Sequence, residues 1–164
     1  KIILHLVGDG PELSSYKKLV KKYKLNKYVV FHGKLFGAKL DEIYNQCDIA
    51  LDALARHRSN VFFNSSLKGK EYCAKGIPII SGVKTELDNF RDFPYYLRVS
   101  SDDTPINMRK VLEFYDNIYK NGVSKEYITD SIIKLTKSKF DISNVFMPVI
   151  NYIEGQVRAR YEKN

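Results

Sequence analysis

The feature that most constrains this chain is a repeated order: a short apolar run, a turn rich in glycine or polar residues, then apolar residues at helical spacing. The first run, Ile2-Ile3-Leu4-His5-Leu6-Val7, is almost unbroken, the pattern of a strand covered on both faces. Gly8-Asp9-Gly10-Pro11-Glu12 follows. Asp9 is placed to cap a helix, with Pro11 in its first turn and Glu12 as the capping-box partner. Leu13, Tyr16, Leu19, Val20 and Tyr23 then recur on one helical face.

The cycle repeats. Residues 28–31 read as a strand ending at His32-Gly33, and Leu40, Ile43 and Tyr44 mark a helix. Residues 48–52 read as a third strand, and residues 56–64 as a polar, basic loop. A helix over 65–75 should stop at Gly76, a left-handed cap, because Pro78 forbids its continuation. Residues 77–80 and 96–99 supply the fourth and fifth strands. Strands alternating with helices at this pitch predict an α/β fold. The expectation is a Rossmann-like three-layer sandwich with a mainly parallel sheet of about five strands, plus C-terminal helices. Those helices begin near Pro105, near Ser124 or Lys125, and near Asp141 or Ser143, the last reaching about Tyr161.

Bulk properties narrow the class. The chain has 164 residues, 44% hydrophobic and 28% charged, which suits one globular domain. No apolar run approaches the roughly 20 residues of a membrane span. No signal peptide is visible, and the opening without methionine reads as a piece of something longer. Cys47 and Cys73 lack partners at metal-ligand spacing, so no metal site is expected, and reduced thiols fit a cytoplasmic setting. The net charge of +8 and pI of about 9.3 suit nucleic acid, an anionic membrane face or a phosphorylated ligand. No nucleic-acid motif is present. Lys17-Lys18 and Lys21-Lys22 on one helix leave a solvated face and a membrane-facing patch equally open, the latter implying a peripheral place at the inner membrane face.

Ligands of open α/β sheets bind beyond the carboxyl ends of the strands. That edge collects Gly8 and Gly10, then Gly33, Lys34 and Leu35, the loop over 52–64, Ser65-Ser66, and Ser81-Gly82. Ser65-Ser66-Leu67-Lys68-Gly69-Lys70-Glu71 is the most specific element. Serines at a helix start leave free N–H groups for an anion, Lys68 adds a cation, and Glu71 projects from about the same face. Such a set suits a nucleotide sugar, with phosphate at the amides and lysine and sugar hydroxyls at the carboxylate.

Four blocks occur in order: Val7-Gly8-Asp9-Gly10-Pro11-Glu12, Val30-Phe31-His32-Gly33, Cys47-Asp48-Ile49-Ala50-Leu51, and Ser66-Leu67-Lys68-x-x-Glu71-Tyr72-x-Ala74-x-Gly76-x-Pro78-Ile79-Ile80. Over residues 1–82 this resembles the C-terminal, donor-binding half of a group 1 (family 4) glycosyltransferase of the GT-B fold. The resemblance implies one partial donor-binding domain over 1–164, with a sheet core over 1–100 and a helical part over 101–164. It implies a retaining sugar transfer from a nucleoside diphosphate donor to an acceptor hydroxyl, in polysaccharide or glycolipid synthesis, without a cofactor or an obligatory metal. Glu71 would bind the ribose hydroxyls, Lys68 the phosphate, and Ser65, Ser66 and Leu67 the diphosphate. Gly33, Lys34 and Leu35 would line the base, and Gly8 and Gly10 would leave it room. Positioning and charge stabilisation of the departing diphosphate would carry the catalysis. No residue is assigned as catalytic.

Two departures from that pattern stand out. Phe63 occupies the place, eight residues before Glu71, where many relatives carry another glutamate near the donor sugar; Asn64, Arg58 or His57 could substitute, and Arg56 and Arg58 suit phosphate oxygens. The family's first strand–helix unit, with its Gly-Arg turn, and its N-terminal acceptor-binding domain are not in this sequence. The strands ending at Val7 and Leu51 are therefore expected to pair directly, in the order 2-1-3-4-5, unless another chain or a swapped strand fills the gap. The fragment alone is expected to be inactive. Two rival readings are a flavodoxin-like phosphoacceptor receiver, with Asp9, Asp52 and Ser81 at strand ends, and a non-catalytic nucleotide-binding module. Asp52 and Asp88 otherwise read as caps of nearby amides.

Overall fold

A computed structural model describes residues 1–161. The chain divides into two compact units, Lys1–Cys47 and Asp48–Asn164. In the first, β1 (Leu4–Val7), α1 (Leu13–Lys22), β2 (Val29–Gly33) and α2 (Ala38–Gln46) follow in order. β1 and β2 run parallel, Leu4 opposite Val29 and Leu6 opposite Phe31, with a register shift before Val7. None of residues 1–47 is fully buried. The capping expected of Asp9 is not made: α1 starts at Leu13, Glu12 occupies its N-cap without a side-chain bond, and Asp9 instead accepts from the Gly10 N–H at 2.8 Å. A short-range bond to the adjacent amide has outcompeted the cap.

The second unit contains β3 (Ala50–Leu51), α3 (Leu67–Ala74), β4 (Ile79–Ser81), β5 (Tyr96–Arg98), α4 (Met108–Tyr119), α5 (Lys125–Phe140) and α6 (Ile142–Tyr161). Its sheet is parallel in the order β3-β4-β5. The five strands thus form two parallel sheets, not one in the order 2-1-3-4-5. β3 is two residues long, and its ladder amides, Ala50 and Asp52, are spent on Pro78 and Ile80 of the β4 side. One-turn 3-10 helices span Arg56–Ser59, where a loop was expected, and Glu86–Asn89.

The core of this unit follows from its apolar periodicity. Ile80 packs with Phe114 and Ile118 of α4 and with Ile128 and Ile132 of α5. Ile79 packs with Cys73 and Leu87, against which Phe90, Phe93 and Tyr96 close the loop. Asn107 and Ser124 cap α4 and α5 through their side chains.

The junction of α3 with β4 matches its reading closely. The Gly76 N–H bonds the Cys73 carbonyl and the Ile77 N–H bonds the Tyr72 carbonyl, both at 3.0 Å, a Schellman ending. It needs the left-handed φ of +65° that Gly76 supplies.

Candidate functional site

In the second unit the site is built on the first turn of α3. Ser66 is its N-cap: its Oγ accepts from the Gly69 N–H at 2.9 Å and donates to Asp52 Oδ1 at 2.8 Å. Asp52 directly follows β3, with its side chain only 1% exposed. Its other oxygen, Oδ2, lies 3.3 Å from the hydroxyl of Ser81, at the end of β4. Two strand ends thus fix one serine, and that serine fixes the helix start. Lys68 Nζ stands 4.0 Å from Asp52 Oδ1 while its side chain remains 57% exposed. Glu71, three residues on, is exposed. Among the described hydrogen bonds, none occupies the N–H groups of Leu67 and Lys68.

Ser65 is held differently. Its hydroxyl donates to Glu86 Oε1 and accepts from Lys70 Nζ, and the Lys70 ammonium lies 3.3 Å from the same Glu86 oxygen. Partial burial works to raise the Glu86 carboxyl, but bonds from Ser65, from its own backbone N–H and from Lys70 outweigh it and hold the group below its ordinary range. Both serine hydroxyls are therefore committed within the protein. What they leave for an anion is backbone N–H and the Lys68 cation.

Arg58 and His57 belong to another cluster of this unit. Asp103 Oδ1 lies 2.7 Å from Arg58 Nε and 3.0 Å from His57 Nε2. The bond to His57, then that to Arg58, lowers the Asp103 carboxyl from its ordinary value. The cluster opens on a cavity lined by Leu54, His57, Arg58, Val99, Asp103 and Ile106. Arg58 is thus paired to a carboxylate, and a phosphate would have to share it. Phe63 is 53% exposed and bridges in parallel to Lys84. The Nδ2 of Asn64 beside it is buried with no partner among the described residues.

The remaining candidates lie in the first unit. Gly8 and Gly33 adopt φ values of +126° and +68°, and the Gly8 N–H bonds the Gly33 carbonyl at 2.7 Å, so the turns after β1 and β2 meet. Gly10 is exposed two residues on; Lys34 is exposed and Leu35 half-buried. No atom lies within 4 Å of where a side chain on Gly8, Gly10 or Gly33 would begin, so these turns are open.

Asp52 is the residue that sequence reading undervalued. A carboxylate ending a strand usually caps an amide, whereas this one organises two hydroxyls and faces a lysine. The available signal was its place between an apolar strand and the Ser-Ser-Leu-Lys turn.

No known protein family matches the sequence, and no curated protein resembles it closely enough to count. Among solved structures, the chain is similar to the pneumococcal O-GlcNAc transferase GtfA, described in complex with UDP and GlcNAc. The TM-score is 0.56 at 15% identity, over 83% of this chain. The fold is shared. The chain is α/β with parallel strands and long C-terminal helices, Rossmann-like in its arrangement. It spans about a quarter of GtfA, 26% of that protein's length.

Proposed function

We propose that this chain is the nucleotide-sugar-binding part of a retaining glycosyltransferase of the GT-B type, a donor-binding half that works with an acceptor-binding domain. The observation that carries the reading is the first turn of α3. Ser66 is locked by Asp52, the Leu67 and Lys68 amides lie at the positive end of the helix, and a solvent-facing ammonium and carboxylate sit one turn apart. A diphosphate would take the amides and Lys68, and Glu71 would accept from the ribose hydroxyls. Catalysis would rest on holding the donor and stabilising the leaving diphosphate, with no metal required. The resemblance in fold to a transferase described with UDP supports this assignment.

Calorimetric titration of UDP, GDP and ADP into wild type, Lys68→Ala and Glu71→Ala tests it. At least one nucleotide should bind, and each substitution should weaken it about tenfold, the loss of one charge-assisted contact. Equal binding by all three proteins would defeat the site assignment. Turnover by this chain alone, given a nucleotide sugar and an acceptor, would defeat the two-domain reading. The receiver alternative fares worse, because Asp52, its phosphoacceptor, is buried with both oxygens engaged.

A further inference from the structure

Charge is unevenly spread along the chain. Of the net +8, residues 1–47 hold nine lysines, no arginine and four carboxylates (Asp9, Glu12, Asp41 and Glu42), a surplus of five. Six of those lysines, Lys17, Lys18, Lys21, Lys22, Lys24 and Lys27, lie in one stretch, and no acidic residue occurs between Glu12 and Asp41. All six are exposed.

Apolar side chains are interleaved with them. Tyr16, Leu19, Tyr23 and Tyr28 are 51%, 47%, 60% and 48% exposed. At about 100° per residue, Leu13 and Val20, both half-buried, define the inward side of α1. Lys17, Lys21, Lys18 and Lys22 sweep one flank from beside the inward side round to the outward pole, and Tyr16, Leu19 and Tyr23 fill the other flank. Lys22 Nζ lies 5.4 Å from the Tyr23 ring centre and Lys17 Nζ 5.7 Å from that of Phe31. Two of these ammonium groups therefore sit over aromatic rings, which keeps positive charge and aromatic surface in one patch.

We propose that residues 16–28 form a docking surface for an anionic lipid bilayer, with α1 lying in the headgroup plane. A helix with a lysine-rich arc beside exposed tyrosine and leucine has the composition of an interfacial helix, and a cluster of four to eight basic residues is what anionic headgroups attract. Tyrosine suits the boundary because its ring is apolar and its hydroxyl wet. Nucleic acid fits the same patch less well. Phosphate and base recognition favours the planar fork of arginine, which this unit lacks, and would leave the Leu19 flank without a role. The proposal is independent of the nucleotide reading.

Co-sedimentation of the 164-residue chain with vesicles tests it, using phosphatidylcholine alone and phosphatidylcholine mixed with phosphatidylglycerol. Binding is expected to the mixed vesicles only, and to weaken as salt rises from about 0.1 M to about 0.5 M. Replacing Lys17, Lys18, Lys21 and Lys22 by Gln should cost at least about tenfold in partition. A control variant with Lys110, Lys134, Lys137 and Lys139 replaced by Gln, the same loss of charge at exposed sites of the other unit, should bind as wild type. Tyr16→Ser with Leu19→Ser should also weaken binding, with circular dichroism confirming that both α1 variants fold. Equal losses in the two lysine variants would reduce the effect to net charge and overturn the proposal. So would full binding by the Ser variant together with competition by duplex DNA, which would assign the patch to a soluble polyanion.

Discussion

At the scale of single residues, the site depends on Asp52 and Ser66 serving each other. Ser66→Ala removes the cap of α3 and the hydroxyl donor of one oxygen of a buried carboxylate, leaving that oxygen only the Lys68 ammonium at 4.0 Å. The cap contributes about 1 kcal/mol and the lost partner about 1–3 kcal/mol, so urea unfolding should show a loss of about 2–4 kcal/mol. A loss below about 0.5 kcal/mol would mean that the pair does not organise the turn. Glu86 gives a pH signature. Its carboxyl is held below the ordinary value of 4.5, so the ionised form favours the folded state. That contribution is present above pH 4.5 and is lost as pH falls through the lowered value. Glu86→Gln should therefore flatten the acid limb of a stability–pH curve, and an unchanged limb would refute the assignment. Cys73 behaves oppositely: burial pushes its thiol up to about 12, leaving almost no thiolate at neutral pH. Mass spectrometry after iodoacetamide should find it unmodified in the native chain and modified in urea.

At the scale of elements, the passage from α3 to β4 is the tightest joint. A Cβ on Gly76 would stand 2.6 Å from the Thr129 carbonyl oxygen and Cγ2. Gly76→Ala thus combines a left-handed backbone with a collision against α5 and should cost at least about 2 kcal/mol in thermal or urea unfolding. A near-neutral result would show that α5 yields easily. This joint was legible in the sequence because every signal agreed: serine cap, glycine stop, proline barrier and apolar run. The starts of α4 and α5 were legible to within a few residues for the same reason. Where signals conflicted, reading failed. Asp9 bonds the adjacent Gly10 amide and leaves the helix start uncapped. The 3-10 turn at Arg56–Ser59 has no apolar period to announce it, and its bonds to Asp103 join residues some 45 apart in sequence. The fate of the Ser65 and Ser66 hydroxyls was hidden likewise, because their partners Glu86 and Asp52 are distant in sequence. The pairing of strands depended on ladder length, and a two-residue β3 has few bonds to offer.

At the scale of the whole chain, stability is unequally supported. Every fully buried side chain among the described residues lies in the second unit, including Ile79, Ile80, Ile128 and Ile132. The first unit has a two-stranded sheet and no buried residue, although His5 and His32 stack across its strands with ring centres 5.1 Å apart. A fully buried aliphatic side chain contributes about 1.5–3 kcal/mol, and a two-stranded sheet is marginal without such support. Local opening should therefore differ between the units. In native-state hydrogen exchange, the amides of β1 and β2 should open at a cost several kcal/mol below those of β4 and α5. The difference should persist at neutral pH and moderate salt, because it arises from apolar burial and not from charge. Equal protection would show that the two units unfold as one, so that burial within each does not set its stability. Addition of the nucleotide that binds best gives the comparison a functional edge. If the first turn of α3 holds the diphosphate, protection of the amides of α3 should rise with ligand, and with the Glu71→Ala variant it should rise far less at the same ligand concentration.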